Sequence, residues 1–245
     1  MRSLIISTIV FTLGMASSAM ATGSYGSLDL GYLGRPVPSM GNGGRFDYDI
    51  ANESSLSLPA GWDLNRYDSP SAVMPGGQDG VDDLFTFCIE TNQFVPGNSS
   101  SNTFMVDPEA IGGTLDRLGD YYYSLAVQPG NFVEAGAFQL ATWETVFGNS
   151  DMTDGFISSG SYTSAAINLA TTWLASVTGS NPLPDLLDTR MISLTNASFQ
   201  DQVTQITAVP EAAALIVWTF VGGAIGLVVY RRHILAQSAE NSPLN

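Results

Sequence analysis

Cys88 is the only cysteine in the 245-residue chain, and His233 is its only histidine. A single thiol cannot form a disulfide within the chain, so no disulfide framework is expected. Because the one histidine lies close to the C-terminus, we expect no histidine-based catalytic triad and no histidine-ligated metal site in the preceding residues. Two interpretations of Cys88 stay open: it is a small buried hydrophobic residue, or its thiol is chemically capped.

The N-terminal residues have the pattern of a secretory signal peptide. Arg2 supplies a positive start, residues 4–15 are apolar or neutral, and Ala19-Met20-Ala21 is a small-x-small cleavage site. The apolar stretch is too short for a permanent membrane helix. We therefore expect a signal peptide over residues 1–21 and an exported body over residues 22–208.

A proline-glutamate dipeptide, an uncharged stretch and a basic pair follow one another near the C-terminus. Pro210-Glu211 comes after Val209, residues 212–230 carry no charge, and Arg231-Arg232 come next. A helix of this length rises about 28 Å, which predicts a transmembrane helix over residues 212–230. A short polar tail, 236–245, ends the chain.

The order of these features resembles the PEP-CTERM sorting signal of bacterial exported proteins, here covering residues 209–235. Ala212 stands where that family usually has a second proline. The resemblance implies recognition by an exosortase-type membrane protease, cleavage near Pro210-Glu211, and transfer of the body to the envelope surface. The alternative is a membrane anchor that stays uncut.

Acidic residues dominate the charge of the chain. It carries 23 Asp and Glu against 8 Arg and no Lys, for a formal net charge of −15. Such a charge repels phosphate backbones, so the sequence predicts no nucleic-acid partner. Asp79, Asp82 and Asp83 lie close together but lack the glycine and the terminal glutamate of an EF-hand loop. We therefore predict no metal site and no cofactor.

Residue periodicity predicts strands at both ends of the body and helices in its centre. Alternation indicates strands at 27–32, 45–50 and 83–90 and again between 191 and 206. Apolar spacing of three and four residues indicates a helix reaching about residue 125, and two more at 132–147 and 164–177. The predicted fold class is α+β, with mixed strands flanking a central helical segment and a C-terminal transmembrane helix.

Two short motifs lie on these elements. Phe87-Cys88-Ile89-Glu90 falls on the strand 83–90, and residues 138–144 read Phe-Gln-Leu-Ala-Thr-Trp-Glu on the helix 132–147. They resemble the motifs of the thioester domains of bacterial surface proteins, an aromatic-Cys-aliphatic-acid strand and a Thr-Gln-x-Ala-aliphatic-Trp helix. Phe138 and Thr142 stand where that family has threonine and an aliphatic residue.

The resemblance implies that Cys88 supplies the sulfur and Gln139 the acyl group of an internal thioester. The residues that it implies as supporting groups are Phe87, Glu90, Ala141, Thr142, Trp143 and Glu144. Addition of a thiolate to a primary amide expels ammonia and loses amide resonance. The fold must therefore supply proximity, which is worth effective molarities of roughly 10⁵–10⁸ M.

Such a thioester would react once, with an amine or hydroxyl on a surface polymer or protein. Main-chain N–H groups or the hydroxyls of Thr86 and Thr142 are the candidates for stabilising the oxyanion. The aromatic side chains available to exclude water are Phe85, Phe87, Phe138 and Trp143. Because the bond is consumed in the reaction, the domain is predicted to be a covalent adhesin rather than an enzyme.

Two other functions remain open on the sequence. The chain could be a non-reactive structural component of the envelope or extracellular matrix, in which Cys88 is merely buried. Alternatively, it could be a carbohydrate-binding or carbohydrate-active module that uses paired carboxylates, with Trp62, Trp143 or Trp173 as sugar platforms.

Overall fold

Seven antiparallel strands form a sheet that closes on itself. The computed structural model describes residues 25–34, 45–66, 83–90, 101–107, 111–128, 130–148, 163–186 and 188–209, and the single residues 225, 227 and 230. The strands are β1 (Ser27–Gly34), β2 (Arg45–Asn52), β3 (Trp62–Leu64), β4 (Asp83–Cys88), β5 (Ser101–Asp107), β6 (Thr189–Thr195) and β7 (Gln202–Ala208). Neighbours follow the order β7-β4-β2-β1-β5-β6, and β6 pairs again with β7. Six strands therefore close into a barrel, and β3 pairs with β7 beside it.

The predicted fold class, α+β with mixed strands flanking a central helical segment, is wrong. The described strands form a closed six-stranded antiparallel barrel, and the helices are inserted between β5 and β6. Alternation along the sequence identifies individual strands, but closure depends on which strand edges meet. Here β6 pairs with both β5 and β7, and these pairings cannot be predicted from the sequence of any one strand.

The helices pack as a layer on one side of the barrel wall. They are α1 (Gly112–Leu118), a π-helical turn (Gly119–Tyr123), α2 (Ser124–Ala126), α3 (Phe132–Phe147) and α4 (Ser164–Thr178). The helices predicted at 132–147 and 164–177 are confirmed, the second with one residue more. Gly119 lets the π-helical turn approach β6, because a Cβ there would lie 2.5 Å from Met191 Sδ.

The strand predictions for β1, β2, β4, β6 and β7 are confirmed, whereas β3 and β5 were not predicted. β5 follows a stretch rich in Gly, Asn and Ser that favours a loop. Within β5, Phe104 and Val106 are buried while Thr103 and Met105 are exposed. The strand pattern is therefore present, but it is short and adjoins a stronger loop signal.

The barrel wall divides the apolar core into two clusters. The interior cluster fills the barrel and includes Leu84 and Cys88 of β4. The helix-side cluster lies between the wall and the helices and includes Phe85 and Phe87. Since β4 is covered on both faces, apolar residues occur on both sides of the strand, and Thr86 is the polar residue between Leu84 and Cys88.

The predicted signal peptide, 1–21, and most of the predicted membrane helix, 212–230, lie outside the described residues. Of the second range only Ile225, Leu227 and Tyr230 are described, each in helical conformation. In the described part of the chain no helix is long and apolar enough to cross a membrane. The longest, α3, has 16 residues, whereas about 20 are needed.

A half-buried carboxylate links the helix layer to the barrel and makes stability depend on pH. Asp116 on α1 accepts a hydrogen bond from the Met191 main-chain N–H at 2.8 Å. Burial raises its pKa above the ordinary 3.8, and the Met191 hydrogen bond only partly offsets this. The folded state then binds more protons than the unfolded state, so stability falls as the pH rises through the window above 3.8.

Asp116→Asn should flatten this dependence, because the amide oxygen still accepts from Met191 but carries no charge. Urea unfolding at a series of pH values measures the effect. The free energy of unfolding of the wild type should fall more steeply with rising pH than that of the variant. Parallel profiles for the two proteins would contradict the assignment.

Candidate functional site

Gln139 and Cys88 are joined by two hydrogen bonds between a side chain and a main chain. Oε1 of Gln139 accepts from the Cys88 main-chain N–H at 2.9 Å, and Nε2 donates to the Cys88 carbonyl oxygen at 2.7 Å. Cys88 is the last residue of β4, and Gln139 lies in the middle of α3. Both residues are fully buried. The structure thus brings the two residues of the predicted pair together, and we call this two-bond contact the amide clamp.

The amide clamp continues the ladder between β2 and β4. Arg45, the first residue of β2, pairs with Phe87, so Cys88 lies one residue beyond this pair. On the opposite side of β4, the Ile89 N–H donates to the Asp201 carbonyl of the chain entering β7. Because successive residues direct their main-chain groups to opposite sides, the Cys88 N–H and C=O point toward β2. The Gln139 carboxamide bonds both of these groups.

The amide clamp also places a hydrogen-bond donor at the carbonyl oxygen of Gln139. The N–H donor at Oε1 polarises the carbonyl and lies where an oxyanion would develop. Both hydrogen bonds use the edge of the carboxamide, so its faces are the directions left for addition. The sulfur belongs to the same residue that holds the amide, and a strand and a helix fix the two partners.

A second carboxamide contacts the Cys88 sulfur directly. Gln202 Nε2 donates to Sγ at 3.7 Å and to the Gln200 carbonyl at 3.0 Å. Gln202 Oε1 accepts from the Thr86 hydroxyl at 3.0 Å. Thr86 and Gln202 are both fully buried. The sequence motifs do not predict Gln202. A glutamine at the start of a strand that is otherwise rich in Val, Ile and Thr is the one feature of the sequence that could have drawn attention to it.

Aromatic rings cover the amide clamp on its helix side. The rings of Phe87 and Phe138 lie 4.7 Å apart between centroids, and Tyr123 meets both edge-on at 5.9 and 5.7 Å. All three rings are fully buried. Water is therefore excluded from this side of the pair, as predicted for Phe87 and Phe138.

The other predicted supporting residues also lie close to the pair in sequence and are mostly buried. Ala141, Thr142, Trp143 and Glu144 are buried on α3, and Trp143 shares the interior cluster with Cys88. The Thr142 hydroxyl has no hydrogen-bond partner among the described residues, so it does not bind Gln139. The donor at the Gln139 oxygen is instead the Cys88 N–H, the main-chain alternative that the sequence left open.

Glu90 lies at the charged margin of the site, two residues beyond Cys88. It is half-buried, and its Oε2 accepts from the Asp201 main-chain N–H at 3.4 Å. Burial raises the pKa of Asp201, and the Glu90 carboxylate raises it further, while a hydrogen bond from the Asn196 N–H acts in the opposite direction. Negative charge thus lies beside the end of β4, on the side away from the aromatic rings.

The tryptophans proposed as sugar platforms do not offer open faces. Trp143 and Trp173 are buried, and Trp173 stacks on Tyr122 with 4.4 Å between centroids. Trp62 is half-buried, with the Arg190 guanidinium 5.8 Å from its ring. The described tryptophans therefore pack within the domain, which weighs against the carbohydrate module.

The predicted sorting motif is described only at its first residue. Val209 directly follows β7, is exposed, and donates its N–H to the Gly61 carbonyl at 2.7 Å. Pro210, Glu211, Arg231 and Arg232 lie outside the described residues. The predictions on processing by a membrane protease stay predictions.

Tyr123 fills a gap in the barrel wall beneath the site. The β4–β7 ladder covers only Phe87 with Val203 and Cys88 with Gln202. Beyond it, the Tyr123 hydroxyl donates to the Phe85 carbonyl at 2.5 Å and lies 3.0 Å from the Thr204 hydroxyl. The Thr204 hydroxyl also donates to the Phe85 carbonyl, at 2.9 Å, so one side chain from the helix layer and one from β7 together satisfy this carbonyl.

Tyr123→Phe should lower the free energy of unfolding by about 1.5 kcal/mol, because a fully buried hydrogen bond is lost while the Phe85 carbonyl keeps its bond from Thr204. Chemical denaturation measures this, with Tyr122→Phe as the matched control. Tyr122 bonds the Ser176 hydroxyl at 2.7 Å in a partly exposed position, so its replacement should cost at most about 1 kcal/mol. Equal costs for the two variants would argue against the structural role of Tyr123.

Comparison of this chain with protein-family models, with curated proteins and with solved structures finds no match.

Proposed function

We propose that this chain is an exported surface protein whose barrel domain forms an internal thioester between Cys88 and Gln139. It would use the bond once, to attach covalently to an amine- or hydroxyl-bearing polymer or protein. The observation that carries the proposal is the amide clamp, which fixes the Gln139 carboxamide on the main chain of the residue that bears the sulfur.

Formation of the bond is a substitution at the carboxamide carbon of Gln139. The Cys88 sulfur adds to this carbon, the Sγ–Cδ bond forms, and the Cys88 N–H stabilises the negative charge on Oε1. The Cδ–Nε2 bond then breaks, and the thiol proton leaves with the nitrogen as ammonia. No electrons are transferred to or from another compound, so neither an oxidant nor a cofactor is required.

Opening of the bond reverses the roles of sulfur and nitrogen. The amine of the partner attacks Cδ of Gln139, a secondary amide forms, and the Cys88 sulfur leaves and takes up the proton that the amine loses. A hydroxyl gives an ester by the same path. The product is a covalent link at position 139 and a thiol at position 88, so each molecule reacts a single time.

Burial and charge support a long-lived bond that reacts with amines. Cys88 and Gln139 are both fully buried, which excludes bulk water and slows hydrolysis. Reaction with a partner then requires local opening of the cover. The net charge of −15 attracts protonated amines toward the domain, and the chain contains no lysine that could react in their place.

Export to the surface rests on the two ends of the sequence. Residues 1–21 have the signal-peptide pattern, and Val209-Pro210-Glu211 with Arg231-Arg232 resemble the sorting signal that exosortase-type proteases recognise, with Ala212 in place of its second proline. A protein sorted in this way would present the barrel domain to polymers and proteins outside the cell.

Methylamine provides the direct test of the reaction. The natively folded domain is incubated with methylamine, digested, and sequenced by tandem mass spectrometry. We expect a methylamide at Gln139, heavier than unmodified glutamine by about 14 Da, together with a new thiol at Cys88. The other glutamines serve as internal controls and should remain unmodified. Absence of the methylamide at Gln139 after prolonged exposure would contradict the proposal.

A second candidate function is that of a non-reactive structural component of the envelope. The same amide clamp favours it, because both polar atoms of Gln139 already satisfy main-chain groups at the end of a ladder. In that case Gln139 is a purely structural residue, the thiol of Cys88 remains intact, and methylamine adds nothing.

A further inference from the structure

We infer that Gln202 is the residue that holds the Cys88 sulfur in place and stabilises the negative charge on it when the thioester opens. This inference rests on the proposed function of the Cys88–Gln139 pair. Gln202 faces Cys88 directly across the β4–β7 ladder, and its Nε2 donates to Sγ at 3.7 Å.

The orientation of the Gln202 amide is fixed from both ends. Its oxygen accepts from the Thr86 hydroxyl at 3.0 Å, and its nitrogen also donates to the Gln200 carbonyl at 3.0 Å. These two contacts set which end of the amide meets the sulfur: the N–H group, not the oxygen. An N–H donor stabilises a thiolate much more strongly than a neutral thiol or thioester sulfur.

The same geometry separates the roles of the two glutamines around Cys88. A hydrogen bond from Nε2 places the sulfur near the plane of the Gln202 amide, whereas addition to a carbonyl carbon needs approach from above that plane. Gln202 is therefore arranged as a donor rather than as an acyl group. Gln139, by contrast, bonds the Cys88 main chain with the edge of its amide and is not a donor to the sulfur in these two contacts.

Charged groups also lie on the elements that surround the sulfur. They are Arg45, Asp47 and Asp49 on β2, Asp83 on β4, Glu134 and Glu144 on α3, and Glu90 and Asp201 beyond the ends of β4 and β7. All of them stay unchanged in the variants below. A difference between variants therefore reports the Gln202 contact.

The experiment compares Gln202→Met with Gln205→Met. Methionine has a similar volume to glutamine but no N–H donor. Gln205 is the matched control, since it is a buried glutamine on the same strand whose amide oxygen accepts from Asn65 at 2.8 Å. Thr86→Val is a second probe: it keeps Gln202 but removes the hydroxyl that orients its amide.

Two readings are made on each protein that carries the thioester. The first is the rate of methylamine opening, which should fall roughly tenfold or more in Gln202→Met, because a hydrogen bond to a charged sulfur is lost. The second is the pH midpoint of thiolate formation in the opened protein, followed by thiolate absorbance against a Cys88→Ala blank. This midpoint should move to higher pH in Gln202→Met, move less in Thr86→Val, and stay in place in Gln205→Met.

If Gln202 had only a structural role, Gln202→Met and Gln205→Met would lower the rate of methylamine opening or the stability of the fold to a similar extent. Neither variant would then change the pH midpoint of thiolate formation. Unchanged rate and midpoint in a folded Gln202→Met variant would overturn the inference. Its failure is distinct from failure of the thioester itself. If the wild type never loses ammonia, the thiolate midpoint of its unmodified Cys88 can still be compared with that of Gln202→Met, and this comparison still tests the Gln202 contact.

Discussion

Cys88→Ala is expected to abolish both the loss of ammonia and the covalent capture of methylamine while leaving the domain folded. The reason lies in the amide clamp, which bonds Gln139 to the main chain at position 88 and not to the sulfur. Alanine keeps the N–H and the C=O, so the ladder at the end of β4 survives. Only the nucleophile is removed, and the loss of reaction should be complete rather than partial.

Gln139→Ala is the informative partner of this variant. It also abolishes capture, but it leaves the buried N–H and C=O of Cys88 without their partner. The free energy of unfolding should then fall by about 2–5 kcal/mol, the cost of two buried unsatisfied groups with a small cavity. Intact-mass analysis reports capture, and chemical denaturation reports stability. Methylamine capture by a folded Cys88→Ala variant would refute the assigned nucleophile.

Arg45→Met should produce the largest loss of stability among single charge removals in the described residues. Arg45 Nε contacts Asp47 Oδ1 at 3.1 Å, and both side chains are almost fully buried. Removing one partner of a buried pair leaves an uncompensated charge, so we expect a cost of about 3–5 kcal/mol, measured by urea unfolding. Arg45 also donates to the Val127 carbonyl at 2.6 Å, just after α2, so the helix layer loses a tie to the barrel.

Two controls separate the buried charge from other effects of this change. Arg66→Met removes a more exposed arginine that pairs with Glu53, and should cost at most about 1 kcal/mol. The double variant Arg45→Met, Asp47→Leu should recover part of the stability, because the orphaned carboxylate is gone. If the double variant were less stable than Arg45→Met, the buried-charge explanation would be wrong.

Individual elements of this fold were predictable, whereas their assembly was not. The apolar spacing of residues 132–147 and the flanking Asn131 and Gly148 give the bounds of α3 without error. Closure of the barrel depends on pairing β6 with β7 and β5, across the helices inserted before it. Such pairings depend on how whole strands fit one another, and the periodicity of one strand does not show which strands it pairs with.

The candidate site divides in the same way. Its two central residues were found because each lies in a short motif, and the structure brings them into contact. Gln202 was missed since it lies in no motif and reaches Cys88 only through the β4–β7 register. The donor to the Gln139 oxygen was predicted only as a class, and the specific group, the Cys88 N–H, is identified only by the contact between α3 and β4.

The intact mass of the untreated, exported protein tests the central claim most directly. If Cys88 and Gln139 are joined as a thioester, the wild type should be lighter than its processed sequence by about 17 Da, one ammonia. Under the same conditions Cys88→Ala should match its own sequence mass. A wild type at full sequence mass, whose Cys88 is alkylated completely on denaturation without prior methylamine, would contradict the account.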